Sequence, residues 1–130
     1  MKKLLLLLFA LTFSSASFSG WVELSENTEG SLTFIDLDRI RKEGNFVYFV
    51  LMQDYSNNNQ LPKGMNFLSA IMHIKGDCRA FRYKLLNMAT YKHPMAKSLI
   101  ESKPIKNADW RFMMPDSAYE GAQEIACYKK

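Results

Sequence analysis

Ser69, His73 and Asp77 have the residue types of a hydrolytic triad and stand four apart. A triad needs hydrogen-bond contact between its members. The segment that carries them alternates like a β-strand, in which four residues span about 13 Å. The three side chains then share a face without touching, so a hydrolase reading fails on distance. The histidines are His73 and His93, and neither stands in a HExxH or CxxC…H pattern. Imidazole and thioether groups suit haem iron or a soft metal. A small-ligand or haem carrier would therefore work through His73, His93 or Tyr91, in a cleft between sheet and helix. The methionines read mostly as core filler. No glycine-rich phosphate loop is present, and Asp36 and Asp38 read as turn formers. The expectation is a binding protein rather than an enzyme, with no cofactor and no metal site.

Arg79, Arg82 and Lys84 alternate with Phe81 and Tyr83. A nucleic-acid stacking platform needs basic and aromatic groups on one face. On a strand these fall on opposite faces, which describes an ordinary half-buried strand. Nucleic acid is accordingly not an expected partner. The basic stripe can still meet an acidic protein or a glycan.

The elements that would position these residues follow from periodicity. Trp21–Glu26, Ser31–Asp36, Phe46–Tyr55, Phe67–Lys75, Arg79–Tyr91 and Lys97–Lys103 read as strands. Phe46–Tyr55 is apolar on both faces, which places it centrally with both sides covered. Leu37–Lys42 is short and charged, and Ser56–Gly64 is a polar loop expected to be mobile. Trp110, Phe112 and Met113 form an apolar cluster in irregular chain. Pro115-Asp116-Ser117 opens a helix, with Ser117 and Glu120 at capping-box spacing. That helix is short, with a narrow stripe of Ala118, Ala122 and Ile125, and would be marginal alone.

Residues 1–19 are laid out as a secretory leader. Lys2 and Lys3 precede the apolar run Leu4–Phe13, and small residues follow. The run is short against the roughly twenty residues that span a bilayer, although an uncleaved anchor is the competing reading. Cleavage after Ser19 leaves residues 20–130 as one domain, and cleavage after Ala16 fits nearly as well. No second apolar run is long enough to cross a membrane. With no cysteine near the cleavage region, lipid attachment is not expected, and the product is expected in the periplasm or outside the cell. The chain carries a formal charge of +4, and loss of Lys2 and Lys3 lowers it to +2, a weak pull on polyanions. In an exported chain the pair Cys78 and Cys127 reads as one structural disulfide tying the helix to the sheet. Two buried free thiols are the alternative.

The chain resembles the surface-adhesin protein E family. The resemblance rests on an ordered series: Trp21; Phe34-Ile35-Asp36 with Arg39-Ile40; Val47 to Asp54-Tyr55; Ser69; Asp77-Cys78 and Arg82; Tyr91; Trp110; and Pro115-Asp116-Ser117 leading to Cys127. It implies an α+β fold with a six-stranded antiparallel sheet. A C-terminal helix would lie on the concave face, tied by the disulfide. It also implies binding of host, matrix or plasma proteins, or of haem, and a capacity to form a homodimer. The adhesin for which the family is named is a lipoprotein, and this chain departs from it in having no cysteine for lipid attachment. Cys78 and Cys127 carry over as structural residues, and no ligand-binding residue carries over.

Overall fold

Alternating apolar residues become strands, and each strand pairs antiparallel with its neighbours. The structure is a computed structural model and describes residues 20–129; the expected leader lies outside these residues. The strands are β1 (Trp21–Glu26), β2 (Leu32–Asp36), β3 (Arg41–Glu43), β4 (Phe46–Asp54), β5 (Ser69–Asp77), β6 (Arg82–His93), β7 (Lys97–Pro104) and β8 (Arg111–Phe112). The main order is β1-β2-β4-β5-β6-β7, with β3 on β4 and β8 on β6.

The two short strands do not change the six-row architecture. β2 pairs with residues 51–54 of β4 and β3 with residues 46–48, so the pair shares one row. β7 and β8 share the row beside β6 in the same way. The jog between β2 and β3 is a 3-10 turn, Leu37–Arg39, capped by Asp36. Its carboxylate accepts from Asp38 N at 3.0 Å and from Arg39 Nε at 2.7 Å. The charged stretch read as neither strand nor helix is thus a turn followed by β3.

The chain reverses later than the alternation implied. Residues 78–81 form the turn between β5 and β6, and Arg79 lies in it rather than on the strand. The cause is Asp77, whose Oδ1 accepts from the backbone N–H groups of Arg79 and Ala80, both at 3.0 Å. These bonds, with that from Arg82 Nε, outweigh burial and hold the Asp77 carboxyl below its ordinary range. The polar loop after β4 is also less free than its composition implied. Asn58 Nδ2 donates to Ser31 Oγ at 2.7 Å and Asn59 N to Glu29 O at 3.1 Å. Gly30 makes this fit possible: its φ is +100°, and a Cβ there would lie 2.4 Å from Asn57 O.

The helix α1 (Ala118–Tyr128) covers one face of the sheet. Beneath it lie Ile35, Val47, Phe49, Leu51, Met72 and Ile74, packed with Ala122 and Ala126. The helix contributes small side chains because it sits close to the sheet. Gly76 lies directly below Gln123, and a Cβ at Gly76 would meet Gln123 Oε1 at 2.8 Å. Gln123 is fully buried, and its Nε2 donates to Asp77 O at 3.0 Å and Arg82 O at 3.1 Å. One turn further on, Cys127 is bonded to Cys78, with Cα atoms 5.8 Å apart. Lys42 Nζ donates to Cys127 O at 2.9 Å, and Lys129 Nζ to Leu37 O. At the other end Ser117 Oγ accepts from Glu120 N at 3.2 Å. The reciprocal half of the capping box shifts by one residue, since Glu120 Oε1 accepts from Asp116 N at 3.4 Å.

Three outcomes test this docking. Replacing both cysteines, Cys78→Ser with Cys127→Ser, frees a loop set by a separation of 49 residues. Stability measured by urea unfolding is expected to fall by about 4 kcal/mol. Gly76→Ala is expected to cost about 1–3 kcal/mol, because the new methyl displaces a buried hydrogen-bonding side chain. Asp77 has a depressed native pKa, so its stabilising contribution is complete above the unfolded value of about 3.9 and is lost as pH falls through the native value. Urea midpoints measured from pH 6 down to pH 2 should therefore show Asp77→Asn least stable relative to the parent at the top of that range, with the two converging at the bottom.

Candidate ligand-binding face

The helix covers one side of the sheet, and the other side carries the basic stripe. Register decides what shares that face. Arg41 pairs with Tyr48, Tyr48 with Lys75, and Lys75 with Lys84, which makes one row across β3, β4, β5 and β6. The neighbouring row is Glu43, Phe46, Asp77, Arg82 and Phe112. Directly paired residues point to the same side, so basic and aromatic side chains lie together. The expectation that they separate holds within β6 but fails for the sheet, because the rings come from β4 and from Trp110.

Trp110, just before β8, lies against this surface. Its ring centre is 4.6 Å from Arg82 Cζ, 4.6 Å from Lys84 Nζ and 6.0 Å from the Phe46 ring centre. Lys75 Nζ stands 4.5 Å from the Phe46 ring and 5.5 Å from that of Tyr48, and Arg41 Cζ is 4.5 Å from Tyr48. Each such contact stabilises by roughly 0.5–1 kcal/mol at an exposed site, more when desolvated. Among the described residues, Arg82 pairs with Asp77 at 3.1 Å and Arg41 with Glu43 at 3.4 Å. Lys75 and Lys84 are in no ion pair among the described residues.

Further along the same face lies a hollow of about 360 Å³, lined by Arg39, Arg41, Tyr48, Val50, His73 and Leu86. Burial, helped by the charge of Arg39, lowers the His73 pKa below 6.5. His73 is therefore neutral at pH 7, and the charge of the face comes from arginine and lysine. Beyond the hollow the face becomes apolar, with Val50, Met52 and Ile71 packed against Trp21, Phe34, Tyr91 and Ala96. The start of the helix has the opposite electrostatic character. An open groove of about 880 Å³ beside the start of α1 is lined by the carboxylates of Glu26, Asp116, Glu120 and Glu124.

The chemistry-bearing residues singled out from the sequence do separate jobs. Ser69 Oγ donates to His93 O at 2.6 Å and accepts from Ala96 N at 2.9 Å, pinning the β6–β7 hairpin. Asp77 builds a turn, and His73 lines the hollow. His73 and Tyr91 line the helix-free side, which corrects their expected place in a sheet–helix cleft. Ser69 pairs with Tyr91, so His93 lies beyond the start of β5. That is six residues from His73 along the strands, roughly 20 Å, and the two cannot ligate one iron together. Cys78 and Cys127 form the disulfide. Trp110 is the residue whose role the sequence concealed. The strand that follows it, β8, is too short to show a period, and only the tertiary position of Trp110 gives it meaning.

The profile of the Surface-adhesin protein E family matches residues 21–128. Among solved structures, protein E of Haemophilus influenzae in crystal form II aligns with a TM-score of 0.58 at 17% identity, covering 89% of this chain and 94% of that one. Its selenomethionine form gives 0.58 at 16% identity, covering 88% and 91%. Protein E from non-typeable Haemophilus influenzae gives 0.54 at 17% identity, covering 86% and 78%. No functionally curated protein matches the sequence. The six-row antiparallel sheet, the C-terminal helix docked on one face and the Cys78–Cys127 bond therefore sit on a chain that belongs to the Surface-adhesin protein E family.

Proposed function

We propose that this is an exported binding domain that engages host or extracellular-matrix proteins through the helix-free face of its sheet, with no catalytic turnover. The observation that carries the reading is the aromatic-clamped cation tract around Trp110, Tyr48 and Lys75. Fixed charges on an exposed surface give an encounter patch, and aromatic and arginine side chains are the residue types that dominate binding energy. Family membership supports the adhesin character. The composition of residues 1–19 supports export, with the mature domain beginning near Gly20 in the periplasm or outside the cell. Among the described residues no helix is long and apolar enough to cross a membrane.

The test has two parts. Cell fractionation with intact-mass analysis should find product lacking the leader outside the cytoplasm, lighter by about two mass units for the disulfide bond. Solid-phase binding to a panel of purified matrix and plasma proteins should then identify a ligand whose affinity drops at least tenfold in Trp110→Ala, about 1.4 kcal/mol. Retention of the chain in the cytoplasm, or binding indifferent to Trp110→Ala, would overturn the proposal.

A further inference from the structure

We propose that the row Arg41, Tyr48, Lys75, Lys84, flanked by Arg82, is a site for a linear sulfated polysaccharide. The proposal rests on the helix-free face being the contact surface and names the chemistry that face takes.

The central observation is Lys75 opposite Lys84. Like charges directly across a sheet destabilise it, with Cβ atoms about 5 Å apart. Nothing in the described protein offsets them, because the nearby carboxylates of Asp77 and Glu43 are engaged with Arg82 and Arg41. Each ammonium is instead held against a ring: Lys75 at 4.5 Å from Phe46 and Lys84 at 4.6 Å from Trp110. Arg41 is held in the same way at 4.5 Å from Tyr48. The result is a preorganised array of cations across four strands, roughly 14 Å long at strand spacing. An anion placed between Lys75 and Lys84 removes their repulsion, and a chain with repeated anions satisfies the whole row.

The geometry selects among polyanions. Single-stranded nucleic acid binds by stacking bases on free ring faces. Here the rings already hold cations or each other, at 4.5–6.0 Å. Peptides use sheet edges or side-chain pockets. Between Arg41 and Lys84 the row crosses β4 and β5, which are paired on both sides, so their backbone groups are spent on the ladder. A linear glycan chain with sulfate groups needs neither, and its sulfates are read by charge alone.

Heparin fragments and their desulfated counterparts are the probes, with the disulfide-bonded mature protein and titration at about 0.15 M salt. Heparin should bind and the desulfated chain should not. Lys75→Ala with Lys84→Ala should weaken heparin at least tenfold and lower the salt slope of log affinity by about two. Lys84→Gln alone should weaken it about threefold, a second reading should the double variant misfold by circular dichroism. Lys63→Ala with Lys97→Ala removes equal charge at the far end of the strands, in the loop after β4 and at the β6–β7 hairpin, and should change affinity less than twofold. Equal losses in both double variants would overturn the site. Tighter binding of an oligothymidylate would overturn the ligand class. Failure of heparin while a matrix protein still binds in a Trp110-dependent way would overturn the glycan inference alone. Failure of both would overturn the binding face as well.

Discussion

The structure depends on the close approach of one short helix to the sheet. Van der Waals packing at that distance favours small residues where the backbones come nearest, Ala122 and Ala126 on the helix, and Gly76 on the strand makes room for the buried Gln123. Small side chains remove little apolar surface from water, so the hydrophobic effect alone holds such a helix weakly. Directional bonds at the β5–β6 turn supply the rest. Gln123 donates to two strand carbonyls, Cys127 is covalently tied to Cys78, and Lys42 and Lys129 reach across from opposite sides. Gln123 Oε1 has no hydrogen-bond partner among the described residues. The same side chain that secures the helix thus carries a desolvation cost.

Confining the helix to one side leaves the opposite side to evolve as a surface. The central strands bury residues on both faces, so that surface is not bare; its far end is a satellite core around Met52 and Tyr91. The end near the disulfide is different. It is covered by long cations and rings rather than by packed aliphatics, and their stems supply the screening that a strand needs while their charges stay in water. Asp77 joins the two sides, with its backbone carbonyl taken by Gln123 under the helix and its carboxylate held by Arg82 on the open face. Docking of the helix and shape of the open face are therefore coupled through one hairpin turn.

The domain is electrically two-sided. Carboxylates gather at the groove beside the start of α1, whereas arginine and lysine dominate the helix-free face. The small overall charge does not show this local division. Members of one fold family can share the sheet, helix and disulfide while differing in what that face displays, and at 16–17% identity the Haemophilus influenzae structures speak for the scaffold.

The sequence by itself determined what depends on neighbours along the chain. Alternation placed the main strands, the Ser117–Glu120 spacing placed the helix start, and two cysteines in a chain whose first residues read as a leader implied the bond that the structure contains. These signals are local: side-chain parity, backbone capping and composition. Tertiary structure alone decided the rest. β3 and β8 are too short to show a period and exist because the edges of β4 and β6 offer free hydrogen-bonding groups. The basic stripe looked separated from aromatic residues because parity was read within β6, whereas its rings come from Phe46, Tyr48 and Trp110 on other segments. Ser69, His73 and Asp77, which strand spacing alone keeps apart, took their separate tasks from the hairpin, hollow and turn around them. Register between distant strands, which no local pattern encodes, is what assembled the binding face.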